Sequence, residues 1–260
     1  MRGAGFTLEG KMVNERASLK EIARLAGDFL ERLAGDGVDR IFLGAPPPLP
    51  PRAVPPPGGP SRSAPAPRSA SPAEAASSLR RIGRAVAGCA ACGLGKTRNK
   101  AVFGAGAVRP PVVFIGEAPG AEEDRQGLPF VGRAGQLLTK MLAAIGFGRE
   151  DVYITNIVKC RPPGNRDPRP DEVACCEPYL LEQLAILRPR LICALGRCAA
   201  QAMLKTDDGI NRLRGRLHDY HGVPVLPTFH PAYLLRNPAD KRKAWEDLKK
   251  VRAFVDREAG

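Results

Sequence analysis

The sequence predicts a three-layer α/β domain, a parallel sheet with helices on both faces, preceded by a proline-rich segment and a separate helix. Three observations carry that reading. Apolar, β-branched runs recur at VVFIG, VYITNIV, LICALG and VPVLPTF, and helical stretches separate them at AGQLLTKMLAAIGF, DEVACCEPYLLEQLAILRP and RCAAQAMLK. Strand, helix, strand, helix is the pattern of parallel βαβ units, whose strands read as continuous apolar runs because both faces are covered. The third observation is that 26 prolines and 28 glycines in 260 residues are too many for one compact domain, so part of the chain is linker.

The elements follow in order. Residues 1–44 contain SLKEIARLAGDFLERLAGDG, in which Ser18 and Glu21 stand at capping-box spacing and Leu19, Ile22, Ala26, Phe29 and Leu33 form one apolar face. A lone helix cannot bury its own stripe, so it docks on the main domain, on a second copy or on a protein partner. Residues 45–77 are the linker: Ala45 to Pro72 hold 12 of the 26 prolines, no acidic residue and almost nothing a core could use. The α/β domain then runs over residues 78–260 and closes with the helix ADKRKAWEDLKKVRAFVDRE.

A net charge of +13 and a pI near 9.8 favour a polyanionic partner, nucleic acid or an anionic membrane surface. No apolar run approaches the length of a membrane span, and the first residues lack the apolar region of a signal peptide. A cytosolic, monomeric protein is expected. In a reducing compartment seven cysteines point to metal ligation or core packing rather than disulfides.

Three constellations could carry chemistry. The first is Cys89, Cys92, Cys160 and Cys176: CAAC has a metal-ligand gap, and Cys160 follows the second strand. Helix geometry selects Cys176 over Cys175, because Cys176 lies about 60° from the centre of the Val173, Leu180, Leu184, Leu187 face and Cys175 points nearly the opposite way. Four thiolates do not choose between zinc and an iron-sulfur cluster. Cys193 and Cys198 read as ordinary buried thiols. The second is LPTFHPAYLLRNP, where His230 leaves the last strand and Leu234, Leu235 and Arg236 follow in a loop; an exposed leucine pair beside a cation suits a wedge into a base stack. The third is the basic stretch after the second strand, with Asn156, Lys159, Arg161, Asn165, Arg166 and Arg169. Asn156 lies inside an apolar run and needs a partner there. Upstream, GEAPGAEEDRQGLPFVGRAGQLL sets Glu117, Glu122, Glu123 and Asp124 at the C-terminal edge of the sheet, where open α/β sheets bind ligands. GLGKT is not a P-loop, since Ala90 stands where its first glycine belongs.

Taken together, CAAC, GEAPGAEEDRQGLPFVGRAGQLL, YITNIVKCRPPGNR and HPAYLLRNP resemble the family 4, iron-sulfur uracil-DNA glycosylases of the uracil-DNA glycosylase superfamily, from Cys89 to about Pro238. The resemblance implies an α/β/α sandwich with a central four-stranded parallel sheet and a 4Fe-4S cluster on Cys89, Cys92, Cys160 and Cys176. It implies a DNA repair enzyme, nucleoid-associated, that flips uracil from single- or double-stranded DNA and hydrolyses its glycosidic bond, leaving an abasic site for base excision repair. Phe130 would stack on the base, Asn156 would pair with O4 and N3–H, and Ala118 and Asn165 would line its pocket. His230 would face O2, and Glu117 or Glu123 would stabilise the sugar cation or position water. Glu122 and Asp124 would be loop or helix-start charges. Leu234, Leu235 and Arg236 would hold the DNA. Ala118 and Gly120 stand where the family 1 enzymes carry Asp and Tyr, and His218 and His221 lie away from the position of the covalent trapping variants, so turnover is expected. A non-catalytic iron-sulfur DNA-binding or polymerase-associated module, or a zinc-ribbon nucleotide hydrolase, would share part of the pattern.

Overall fold

The structure is a computed structural model that describes residues 71–258. The helix expected after Ser18 and the proline-rich stretch before Ser71 lie outside the described residues.

A helix spans the expected boundary at Ser78. Helix α1 (Pro72–Ala87) is capped by Ser71, whose hydroxyl accepts from the Glu74 N–H at 3.2 Å while the Glu74 carboxylate accepts from the Ser71 N–H at 2.6 Å. Proline at the first helical position completes a strong start signal. Ala75, Leu79, Ile82 and Val86 recur every three or four residues and are buried, so this helix belongs to the domain.

Six strands follow: β1 (Ala105–Gly106), β2 (Val112–Gly116), β3 (Tyr153–Asn156), β4 (Leu191–Leu195), β5 (His218–Tyr220) and β6 (Val223–Thr228). Their order is β1-β3-β2-β4-β6-β5. The central four, β3-β2-β4-β6, are parallel as expected, and the two short antiparallel edges β1 and β5 are additions that the apolar runs did not announce. The helices are α2 (Ala121–Gln126), α3 (Arg133–Ala144), α4 (Pro170–Leu187), α5 (Arg197–Leu204), α6 (Ile210–Leu213), α7 (Pro231–Arg236) and α8 (Lys241–Arg257).

Side-chain alternation along each strand builds the three layers. Val112 and Phe114 of β2, with Cys193 and Leu195 of β4, pack on Leu138 and Leu142 of α3 and on Leu248, Val251 and Val255 of α8. Val113, Ile115, Ile192 and Ala194 face the other way, onto Leu79, Leu180, Leu184, Leu187 and Met203 from α1, α4 and α5. Each of the larger aliphatic and aromatic side chains among them contributes about 1.5–3 kcal/mol by leaving water. Register then fixes the site: Gly116 pairs with Asn156 and Leu195 with Thr228, so the carboxyl ends of the four parallel strands finish at one edge. No helix among the described residues is long and apolar enough to cross a membrane.

Candidate active site at the sheet edge

Where the four strands end, a cavity of about 700 Å³ opens, lined among others by Glu117, Ala118, Glu123, Phe130, Asn156, Asn165, Asp167, Arg197, Cys198, His230 and Arg236. Asn156 closes β3 and is 1% exposed, and its Oδ1 has no hydrogen-bond partner. An orphaned buried acceptor costs roughly 1–3 kcal/mol, so its presence on a cavity wall marks a place where a ligand donates. Gly116 makes room for it: a Cβ there would lie 2.5 Å from both Asn156 Oδ1 and Phe130 Cζ.

Phe130 is buried with φ 53°, a left-handed conformation that a bulky residue adopts only under constraint. Two side chains supply the constraint. Oε1 of Glu123 accepts from the N–H groups of Val131 and Gly132, both at 2.9 Å. On the other side the Arg149 guanidinium donates to the carbonyls of Phe130 at 3.1 Å and Pro129 at 2.6 Å. Glu123 is thereby a fastener for the Phe130 loop. Asp124, read as a loop or helix-start charge, lies in the first turn of α2 but is 1% exposed: it accepts from the backbone and side chain of Asn99 at 2.9 and 2.5 Å. Glu122 does sit in the exposed first turn of α2, paired with Arg125.

His230 caps α7. Its Nδ1 accepts from the Ala232 N–H at 3.1 Å, so in the neutral ring the proton is on Nε2. Burial, helped by Arg236 and opposed by Glu123, pushes its pKa down to about 4. The ring is therefore a neutral donor at physiological pH, tilted against Phe130 with centroids 5.7 Å apart. Gly196 permits this approach, since at φ +92° it would place a Cβ 2.7 Å from that of His230.

Glu117 leaves β2 half-buried. Burial raises its carboxyl above the ordinary range, with the Cys198 thiol and Arg197 pulling the other way and Asp167 adding to the rise. Glu117, Asp167 and Cys198 bring ligand-type atoms within 4.8 Å of one another, and the Arg197 guanidinium pairs with Asp167 at 2.9 Å. Sequence reasoning missed this trio and placed Cys198 among ordinary core thiols. The signal was there, because Arg197 and Cys198 directly follow β4 at the same sheet edge.

Residues 103–249 match the uracil DNA glycosylase superfamily. The type-4 uracil-DNA glycosylase of Archaeoglobus fulgidus is 46% identical over 182 residues, covering 67% of this chain and 92% of that protein. That of Thermotoga maritima is 48% identical over 177 residues, 65% of this chain and 91% of its own, and that of Saccharolobus solfataricus 44% over 173 residues, 63% and 80%. The chain belongs to the type-4 uracil-DNA glycosylase family.

In this type-4 family member five of the seven cysteines gather at a second place. Cys89, Cys92, Cys160, Cys175 and Cys176 line one small cavity with Lys159 and Arg98. Cys160 Sγ accepts from Arg98 Nη1 at 2.9 Å, and the same guanidinium holds the Ala87 carbonyl at the end of α1. Cys176 Sγ accepts from the Lys159 N–H at 3.3 Å, whereas the exposed Cys175 thiol turns away to the Ala91 carbonyl.

One expected DNA contact, Leu234, and the reading of the basic stretch are corrected. Residues 231–236 are helix α7 rather than loop, started by Pro231, and Leu234 is 1% exposed in the core beneath it. Leu235, at 37%, and Arg236 remain at the surface. Lys159 is 1% exposed, not part of a basic loop. Arg166 is forked onto Glu172 at 2.8 and 2.6 Å, an ion pair that draws the Glu172 pKa down to about 2. Asn165 is exposed at φ 54° and accepts from Arg161 Nε at 2.8 Å on the cavity rim.

Proposed function

We propose that this chain removes uracil from DNA by hydrolysing the bond between N1 of the base and C1′ of deoxyribose. The carrying observation is the orphaned Oδ1 of Asn156, buried in a cavity that also holds a neutral histidine with its proton on Nε2. Uracil offers an N3–H donor beside two carbonyl acceptors, and it fits that pair. Asn156 Oδ1 accepts from N3–H, its amide N–H donates to O4, and His230 Nε2–H donates to O2. Cytosine, with an acceptor at N3 and a donor at N4, meets both amide atoms with the wrong polarity.

The base reaches the cavity only after flipping, which costs a few kcal/mol, least at a mispair. Phe130, locked by Glu123 and Arg149, gives the flipped ring a fixed stacking face. As the glycosidic bond breaks, its electron pair moves onto the base and is held at O2 by a donor that costs nothing to reorganise. The sugar becomes cationic. Glu117, ionised, stabilises that cation and orients the water whose oxygen bonds to C1′; the released proton returns to the uracil anion. Glu123, its Oε1 spent on two amides, positions rather than reacts. Leu235 and Arg236 face the duplex, and Leu234 supports them from below.

Cys89, Cys92, Cys160 and Cys176 would hold the 4Fe-4S cluster. Four thiolates accept either zinc or a cluster, and membership of the type-4 family favours the cluster. Bound there, the cluster would supply a cross-link between three chain segments rather than a reacting group.

An oligonucleotide assay tests the reading. Incubated with matched strands bearing uracil, cytosine or thymine, anaerobically purified brown protein should leave alkali-labile sites on the uracil strand alone. A DNA shift without strand scission would instead make it a binding module, and colourless protein would remove the cluster.

A further inference from the structure

Lys159 stands between the two centres and belongs to neither by its sequence pattern. Its side chain is completely buried, yet no ion pair holds it among the described residues; Nζ donates to Thr155 Oγ1 and to the Asn156 carbonyl, both at 2.8 Å. Its own N–H donates to Cys176 Sγ at 3.3 Å, and its carbonyl accepts from the Val102 N–H at 2.7 Å. Burying a cation against neutral acceptors alone is expensive, so such a residue needs a counter-charge nearby. The cysteine cavity, which Lys159 lines, provides one: four thiolates outweigh the positive charge of either a zinc ion or a cluster core. The ammonium itself holds the carbonyl of the residue that carries the orphaned amide.

We propose that Lys159 is a positioning residue that ties the cysteine centre to base reading, its ammonium holding the Asn156 main chain so that the side-chain amide meets uracil in register. This rests on the assignment of Asn156 as the base-reading residue. The filled cysteine centre then does more than brace the fold, because its charge keeps the ammonium in place under the pocket floor. Thr155 completes the arrangement, since its hydroxyl accepts from Nζ and donates to the Phe103 carbonyl at 2.8 Å.

The test reads binding rather than turnover. Dissociation constants are measured for uncleavable oligonucleotides carrying 2′-fluoro-2′-deoxyuridine or 2′-fluoro-2′-deoxycytidine, and their ratio reports discrimination. Lys159→Met should lower that ratio by about tenfold or more, as loss of a buried hydrogen bond to a charged group implies. On an Asn156→Ala background the same change should lower it no further, because no amide remains to position. Thr155→Val, which removes one of two acceptors and keeps the cation, should show the same dependence on Asn156 with a smaller loss. An unchanged ratio in Lys159→Met, or equal losses with and without Asn156, would overturn the proposal; if Lys159→Met does not fold, Thr155→Val decides on the same criterion. The link to the cysteine centre has its own readout. Removing a nearby cation should lower the midpoint potential of the visible-absorbing centre in Lys159→Met and leave it in place in Thr155→Val, and a potential that does not move in Lys159→Met would cut the link. Colourless parent protein would defeat the cofactor assignment alone, leaving the binding ratio to judge Lys159.

Discussion

In the proposed reading, Asn156 concentrates the selectivity in one side chain. Changing it to Asp replaces the N–H donor by an oxygen that faces uracil O4 lone pair to lone pair but could accept from cytosine N4. Uracil excision by Asn156→Asp should fall by about 2 kcal/mol or more in transition-state stabilisation, with any gained activity directed at cytosine, as measured by kcat/KM on the two strands. The pH profile separates the other two residues. Because burial raises the Glu117 carboxyl and its proposed role needs it ionised, kcat/KM should drop as pH falls through a value above the ordinary 4.5, and Glu117→Gln should remove that limb. His230 stays neutral down to about 4, so no step should occur near its ordinary 6.5, and its ring resonances should hold their neutral shifts across that range. A limb at 6.5 that vanishes in His230→Gln would reverse the two assignments. Residues of this kind were legible because polar groups interrupting an apolar strand, or a histidine directly after one, stand out. Burial was not legible: Asp124 and Lys159 look like surface charges until tertiary contacts enclose them.

At the level of elements, the four central strands were readable from apolar runs that only a two-sided burial explains. The edges β1 and β5 were not, being two and three residues long and defined by pairing rather than pattern. Helix α1 was missed because its alanine-rich sequence continues the composition of the linker, and α7 because a short proline-led turn reads as loop. The Phe130 segment is where element geometry meets chemistry. Its left-handed residue is flanked by amides held by Glu123 and carbonyls held by Arg149. Glu123→Gln weakens two charge-assisted bonds and Arg149→Ala removes two more, so both should raise KM for uracil strands while leaving the cysteine centre intact, about tenfold each by the strength of such bonds. Equal activity in both variants would show that the loop holds itself. In α4 the expected contrast is between neighbours: Cys176→Ala should lose colour and stability together, whereas Cys175→Ala, whose thiol points to the Ala91 carbonyl, should lose neither.

At the scale of the whole molecule, a parallel sheet places the ends of four strands on one edge, and the site is assembled from those ends. Cysteines from the end of α1, the stretch after β3, and α4 line a small cavity beside it, so the cysteine site and the pocket share β3. We propose that residues before Ser71 are dispensable for chemistry: a protein starting at Ser71 retains the capping box of α1, and should excise uracil from short oligonucleotides at the rate of the full chain. The most direct measurement of the central claim is a crystal structure of the full chain bound to an oligonucleotide with 2′-fluoro-2′-deoxyuridine. The base should lie against Phe130 in the cavity at the strand ends, with N3–H donating to Asn156 Oδ1 and O2 accepting from His230 Nε2. A uracil seated instead in the neighbouring cavity of about 330 Å³ between Val173 and Ala202, or one that leaves Asn156 Oδ1 without a donor, would contradict it.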